Sequence, residues 1–162
     1  MSAKLIVLGA GYGGLLAALR LARLTRHLGA SVTLVDQAAV APDRVRLHEA
    51  LVRDVPSRRL ADLVRGSDVI LQQGRVEALD PDRRALSIAT AEGPRRLRYD
   101  RLIYALGSFT DRDVIPGIRE HAHTLAPATS AQVRSRIREL AATQGRVLVC
   151  GGGLSGIEVA SE

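Results

Sequence analysis

The sequence predicts an α/β fold in which a parallel sheet carries helices and an antiparallel three-stranded meander accompanies it. Short apolar runs that end in glycine alternate with helical stripes, as buried parallel strands and their crossover helices do. One glycine-turn phrase, "KLIVLGAGYGGLLAALR" at residues 4–20, is echoed by "RVLVCGGGLSGIEVASE" at residues 146–162. Between them, strand-like runs are separated by the turn formers "DPDRR" and "EGP".

Residues 5–8, "LIVL", form a short apolar strand running into Gly9. Leu15, Leu16, Ala18, Leu19, Leu21 and Ala22 recur at helical spacing, and the stripe continues towards Leu28 with Gly29 as its stop. "SVTLVD", residues 31–36, is a second strand, so the three make a strand, helix, strand unit of the size a right-handed crossover requires. A loop is expected at residues 38–42. "RVRLHEALVRD", residues 44–54, reads as a short helix ended by Pro56, and Ser57 as the cap of a second helix, "RRLADLVRG", closed by Gly66. The meander follows as "DVILQQGRVEAL", "ALSIATA" and "RRLRYD". Then come the apolar strand of "RLIYALGS", the loop "VIPG", and a helix over residues 129–143 marked by Val133, Ile137 and Leu140, with Gly145 as its stop. A closing strand at residues 146–150 and a helix opening at Leu154 complete the order. Pro116, Gly117 and Pro127 break the periodicity. The expected division is therefore residues 1–115, a linker at 116–128, and a second domain beginning at 129–162.

A chain of 162 residues buries roughly 70% of its unfolded surface, enough for one domain core and not for two complete ones. The net charge of +6 comes from arginine, with Lys4 the only lysine, and the arginines are interspersed with acids. With three Tyr, one Phe and no Trp, no stacking platform accompanies them, so the basicity is read as composition and solvated helix faces, with no nucleic-acid partner. Cys150 is the sole cysteine, which excludes an internal disulfide and a CxxC redox pair, and its place at the end of an apolar strand predicts a buried small hydrophobe. No uninterrupted apolar run is long enough to span a bilayer, and the first residues lack a small-residue cleavage site, so a cytoplasmic location is expected. No metal ligands and no catalytic residue are assigned.

Laid over one another at constant offset, Gly9, Gly11 and Gly14 match Gly151, Gly153 and Gly156. A pyrophosphate must approach backbone closely. The first glycine permits the tight strand-to-helix turn, the second removes a side chain that would block the phosphates, and the third lets the helix pack on the strand. The helix N-terminus then presents N–H groups and about half a positive charge. Asp36, about twenty residues beyond Gly14 at the end of the second strand, is positioned to accept hydrogen bonds from ribose hydroxyls. These features predict a Rossmann-like dinucleotide-binding turn.

The ordered series "GAGYGG", Asp36, the meander, "YDRLIYALGS", "IPG" and "VLVCGGGLSGIEVASE" resembles the FAD-dependent pyridine nucleotide-disulphide oxidoreductase superfamily over the whole chain. Within it the likeness is to the type II NADH:quinone oxidoreductases and apoptosis-inducing-factor-like reductases. The resemblance implies that Gly9, Gly11, Tyr12, Gly13, Gly14 and Asp36 hold the adenosine diphosphate half of FAD. It implies further that Val76 meets the adenine through its backbone, and that Ala105, Leu106 and Gly107 pass beside the flavin, Leu106 standing where the family commonly has threonine. Arg46 and His48 match a short helix that often contacts flavin; an exposed helix face is the other reading of both. Gly151, Gly153 and Gly156 match the NAD(P)H site, with Glu158 and Glu162 as the acids of the following helix, though Glu158 reads equally well as a solvent-facing residue. The implied activity is hydride transfer from NAD(P)H to flavin, with electrons passed to a quinone or similar small-molecule acceptor. The alternative is a non-catalytic dinucleotide-binding fragment. The missing CxxC disfavours the disulfide-reductase branch. The chain is expected to be the N-terminal part of a longer reductase, or stabilised by another chain. The likeness is compatible with a homodimer and, for a full-length protein, a peripheral position on the inner face of the membrane; membrane association itself is not encoded in these residues.

Overall fold

The computed structural model describes residues 2–41 and 43–162, which divide into two compact units: residues 2–41 with 58–108, and residues 43–57 with 109–162. In the first unit, β1 (Lys4–Leu8), β2 (Ser31–Asp36), β5 (Val69–Gln73) and β9 (Arg101–Tyr104) form an all-parallel sheet in the order β5-β2-β1-β9. Helix α1 (Tyr12–Thr25) crosses from β1 to β2. After it a single 3-10 turn, Arg26–Leu28, ends at Gly29, whose φ of 65° is the left-handed stop the sequence predicts.

Both faces of this sheet are covered, and that explains why β1 is apolar without alternation. Val7, Val32 and Leu34 join Ala18 and Ala22 of α1 in one cluster. Ile6, Leu8 and Val35 point the other way, to Leu86 and Ile88. These last two belong to β7 (Ala85–Thr90), the centre strand of an antiparallel meander with β6 (Arg75–Asp80) and β8 (Gly93–Arg98). Leu8, Leu34 and Ile88 are fully buried, and each withdraws from water a side chain worth about 2 kcal/mol.

Three elements of the first unit differ from the sequence expectation. The run "DVILQQGRVEAL" is two strands in two sheets, broken at Gly74: β5 joins the parallel sheet and only β6 enters the meander. Gly74 is buried and its N–H donates to the Asp36 carbonyl at 2.8 Å; a Cβ there would stand 3.0 Å from the Ala89 carbonyl oxygen. A side chain there would sit closer to β7 than side chains ordinarily do, and the Ala89 carbonyl would have to give by a few tenths of an ångström. Ser57 caps no helix, because Arg58–Arg59 form a strand, β4, paired with β3 (Val40–Ala41). Helix α2 therefore opens only at Leu60 and runs Leu60–Leu63, with Arg59 at its N-cap. The loop expected at residues 38–42 thus contains β3, and its last residue, Pro42, lies outside the described residues.

In the second unit, α3 (Ile118–His121), α4 (Ser130–Ala142) and α5 (Leu154–Ser161) are the helices, and α4 packs against a 3-10 turn at Glu49–Leu51. That turn, with Ala50 and Leu51 buried, is what remains of the helix expected over residues 44–54. The closing strand expected at residues 146–150 does not form: these residues make no ladder, and Val147 and Leu148 are 56% and 86% exposed. Cys150 is exposed rather than buried. A parallel strand is stabilised by neighbours on both sides, and residues 146–150 pair with none. Among the described residues no helix is long and apolar enough to cross a membrane.

Candidate dinucleotide site

The first glycine turn is built by β1 and α1. Gly9 adopts a φ of 94° and its N–H donates to the Val35 carbonyl at 2.8 Å, which ties the end of β1 to β2. A Cβ on Gly9 would lie 2.2 Å from the Ala105 carbonyl oxygen, and one on Gly14 1.8 Å from the Gly9 carbonyl oxygen. Both glycines are therefore demanded by the chain's own packing. Gly11 is different. Its φ of −65° suits any residue, and a Cβ built there meets nothing within 4 Å; the same open space lies over Gly13. The missing side chain at Gly11 leaves room that no part of the unit fills, the cradle a close-approaching phosphate needs. The first helical bond runs from the Leu15 N–H to the Gly11 carbonyl, 2.9 Å, so the amides of Gly13 and Gly14 face out of the helix end. Tyr12 opens α1 and is 59% exposed.

Asp36 is half-buried and works on the turn itself. Its Oδ2 accepts from the Ala10 N–H at 2.6 Å and its Oδ1 from the Ala38 N–H at 2.8 Å. Each oxygen keeps a further acceptor site for a ribose hydroxyl. Val76 sits in β6 opposite Ile88, beside a bulge between Val76 and Ala78, and its side chain packs on the Leu86 cluster. Ala105 donates to the Leu8 carbonyl at 2.8 Å, and Leu106 and Gly107 follow as exposed loop, Gly107 with a φ of 77°. The first unit thus brings Gly9, Gly11, Tyr12, Gly13, Gly14, Asp36, Val76, Ala105, Leu106 and Gly107 onto one fold.

The second turn repeats the first. Gly151 has a φ of 130°, Gly153 is extended at the N-cap of α5, and a Cβ on Gly156 would stand 1.9 Å from the Gly151 carbonyl oxygen. Gly153, like Gly11, meets nothing within 4 Å. Arg46 and His48 belong to this unit. The Arg46 guanidinium grips Glu49 through Nε at 2.9 Å and Nη2 at 2.7 Å, and Arg53 closes on the same carboxylate. That hydrogen bond from Arg46 is the main reason the Glu49 carboxyl is held below the ordinary glutamate range, with the charges of Arg46, Arg53 and His48 acting the same way against desolvation. The His48 Nδ1 lies 3.3 Å from Glu158 Oε2 and its Nε2 3.7 Å from Glu162 Oε1.

Two positioning residues escape the sequence reading. Ala10 supplies the amide that Asp36 holds, and a backbone donor leaves no mark in a sequence. Arg134 of α4 donates to the Arg53 carbonyl at 2.6 Å, the Ala50 carbonyl at 3.3 Å and Asp54 Oδ1 at 2.6 Å, fastening the segment that carries Arg46 and His48. Only its place among apolar α4 positions could have flagged it, one residue after Val133.

The parallel sheet, crossover helix, glycine turn and accompanying meander define a Rossmann-like FAD/NAD(P)-binding fold. The family model for pyridine nucleotide-disulphide oxidoreductase matches residues 3–162, and the chain belongs to that family. It is 31% identical to demethylphylloquinone reductase NdbB of Synechocystis over 98% of its own length and 42% of the relative's. It is 26% identical to the type II NADH:quinone oxidoreductase of Staphylococcus aureus, with the same shares covered. The sulfide:quinone oxidoreductase of Aquifex aeolicus superimposes with a TM-score of 0.82 at 20% identity, over 98% of this chain and 38% of that one. The chain thus spans about two fifths of the length of these relatives.

Proposed function

We propose that the chain is the dinucleotide-gripping part of an FAD-dependent NAD(P)H oxidoreductase that takes hydride from NAD(P)H to flavin and passes electrons to a quinone or similar acceptor. The observation that carries this is the open space over Gly11, a glycine that neither packing nor backbone angle requires. In this reading Gly9, Gly11, Tyr12, Gly13 and Gly14 cradle the pyrophosphate of FAD, Asp36 takes the ribose, and the Val76 backbone meets the adenine. Ala105, Leu106 and Gly107 pass the flavin, with Arg46 and His48 as further flavin contacts. Gly151, Gly153, Gly156 and Glu158 serve NAD(P)H. Bound together, the two cofactors supply the hydride chemistry, and the chain's part is to hold and orient them. The quinone acceptor rests on the names of the relatives, and a peripheral position at the membrane on the sequence resemblance alone. The domain division at residues 1–115, 116–128 and 129–162 rests on the sequence.

The experiment is a visible absorption spectrum of the purified chain supplied with FAD and freed of excess, before and after anaerobic NADH. A retained flavin spectrum that bleaches supports both sites and the reductase reading. Flavin retained without bleaching favours the non-catalytic binding fragment. No retained flavin contradicts the assignment of the first turn.

A further inference from the structure

The contacts of α5 within the second unit point to a role for His48 beyond that of a flavin neighbour. No residue of α5 is buried, and Leu154 and Ile157 are 79% and 60% exposed, so apolar packing fixes neither its position nor its rotation. Glu158 and Glu162 stand one helical turn apart on one face. Between them lies the His48 imidazole, its side chain only 17% exposed, with Nδ1 towards Glu158 at 3.3 Å and Nε2 towards Glu162 at 3.7 Å. At 3.3 and 3.7 Å these are ion-pair separations, the longer one beyond hydrogen-bond reach. The ring therefore holds the two carboxylates through its charge, and only the imidazolium attracts both at once.

We propose that His48 is the positioning residue of the second glycine turn: its imidazolium clamps Glu158 and Glu162 and so sets which way the amino end of α5 faces. The inference rests on the reading of Gly151–Gly156 as the NAD(P)H turn, which gives the clamp its use: nucleotide affinity rises when the clamp is closed. The charged groups around the ring are Glu158 and Glu162 from α5, Arg46, Glu49 and Arg53 on its own segment, and Arg134 from α4, which binds that segment's carbonyls. Arg46 and Arg53 already share Glu49, which leaves the α5 carboxylates as the partners set apart for the imidazole. The anchor under His48 is firm, because Ala50 and Leu51 are buried and Arg134 ties the same stretch to α4.

The test follows amide protection factors of residues 154–161 in the whole chain by NMR, together with NADH affinity from its fluorescence. Both are read across about pH 5.5 to 8, where histidine side chains in general change charge. Wild type should lose protection of α5 as pH rises, by roughly threefold to fivefold as expected for a part-exposed ion pair. His48→Gln should be flat and low, and His48→Lys flat and high, because lysine keeps its charge throughout. A residue that merely filled space would not produce that three-way pattern. The clamp is overturned if wild-type protection does not change with pH, or if His48→Gln equals wild type at the acid end. NADH affinity that follows the protection supports the whole inference. Protection that follows the pattern while no variant binds NADH upholds the clamp and refutes the reading of the turn as a nucleotide site, so the two failures are told apart.

Discussion

At Gly9 and at Gly151 the backbone enters the positive-φ region, at 94° and 130°, and at Gly11 and Gly153 it returns to extended values before a helix begins. A Cβ on Gly14 or on Gly156 would strike the carbonyl oxygen five residues earlier, at 1.8 and 1.9 Å. Around these matching turns everything else differs. β1 lies between β2 and β9, with α1 packed on one face and the meander on the other. Residues 146–150 pair with no strand, and α5 buries nothing. The glycine spacing alone sets the local form of such a turn, while its depth and rigidity come from strands brought in from elsewhere in the sequence.

Substitutions at matched positions test that contrast, and the largest difference is expected in the strands. Ile6 and Leu148 occupy equivalent places before the two turns, 4% and 86% exposed. Ile6→Ala should cost about 3 to 4 kcal/mol in a urea unfolding curve, and Leu148→Ala less than about 0.5 kcal/mol. Equal costs would mean that residues 146–150 are packed after all. Next come Gly14→Ala and Gly156→Ala, which create the same local clash. The first should cost about 2 to 3 kcal/mol because a covered sheet cannot yield. The second should leave the main unfolding transition in place, since α5 can move away.

Asp36 sharpens the comparison in another way, because its carboxylate holds the backbone on either side of the site. Asp36→Ala leaves the amides of Ala10 and Ala38 without their acceptor. It should lower stability by about 1 to 3 kcal/mol, with a fall in FAD affinity measured by titration. The smallest effect concerns Glu49 in the other unit. Its carboxyl titrates low because Arg46 bonds it. The contribution is therefore fully present above the ordinary glutamate range and disappears as pH falls through the depressed value. An NMR titration should show Glu49 protonating below the exposed glutamates, and Arg46→Gln should bring it back up.

Much of the first unit was legible from residue pattern. "LIVL" and "SVTLVD" are apolar because both faces of their sheet are covered, and the stripe through Ala18 and Ala22 is the face of α1 turned to that sheet. The break at Gly74 was not legible, since a strand leaving one sheet for another keeps the same β-forming character on both sides of the change. The helix expected over residues 44–54 is reduced to the turn Glu49–Leu51. The partner of its end, Arg134 of α4 on the Ala50 and Arg53 carbonyls, is far away in sequence and left no mark in the local pattern. Of the candidate site, glycine spacing exposed the turn and Asp36, while Asp36's grip on Ala10 and the bridge from His48 to Glu158 depend on contacts between residues far apart in sequence.

The central claim is that the middle glycine of the first turn serves a ligand and not the fold. Gly11→Val tests it most directly, by unfolding curve and by FAD titration on the same sample. The account predicts stability within about 1 kcal/mol of wild type, the loss expected from a poorer N-cap, and loss of FAD binding, because the space over Gly11 is empty of protein atoms. A Gly11→Val protein that unfolds as wild type and still binds FAD with wild-type affinity would contradict it.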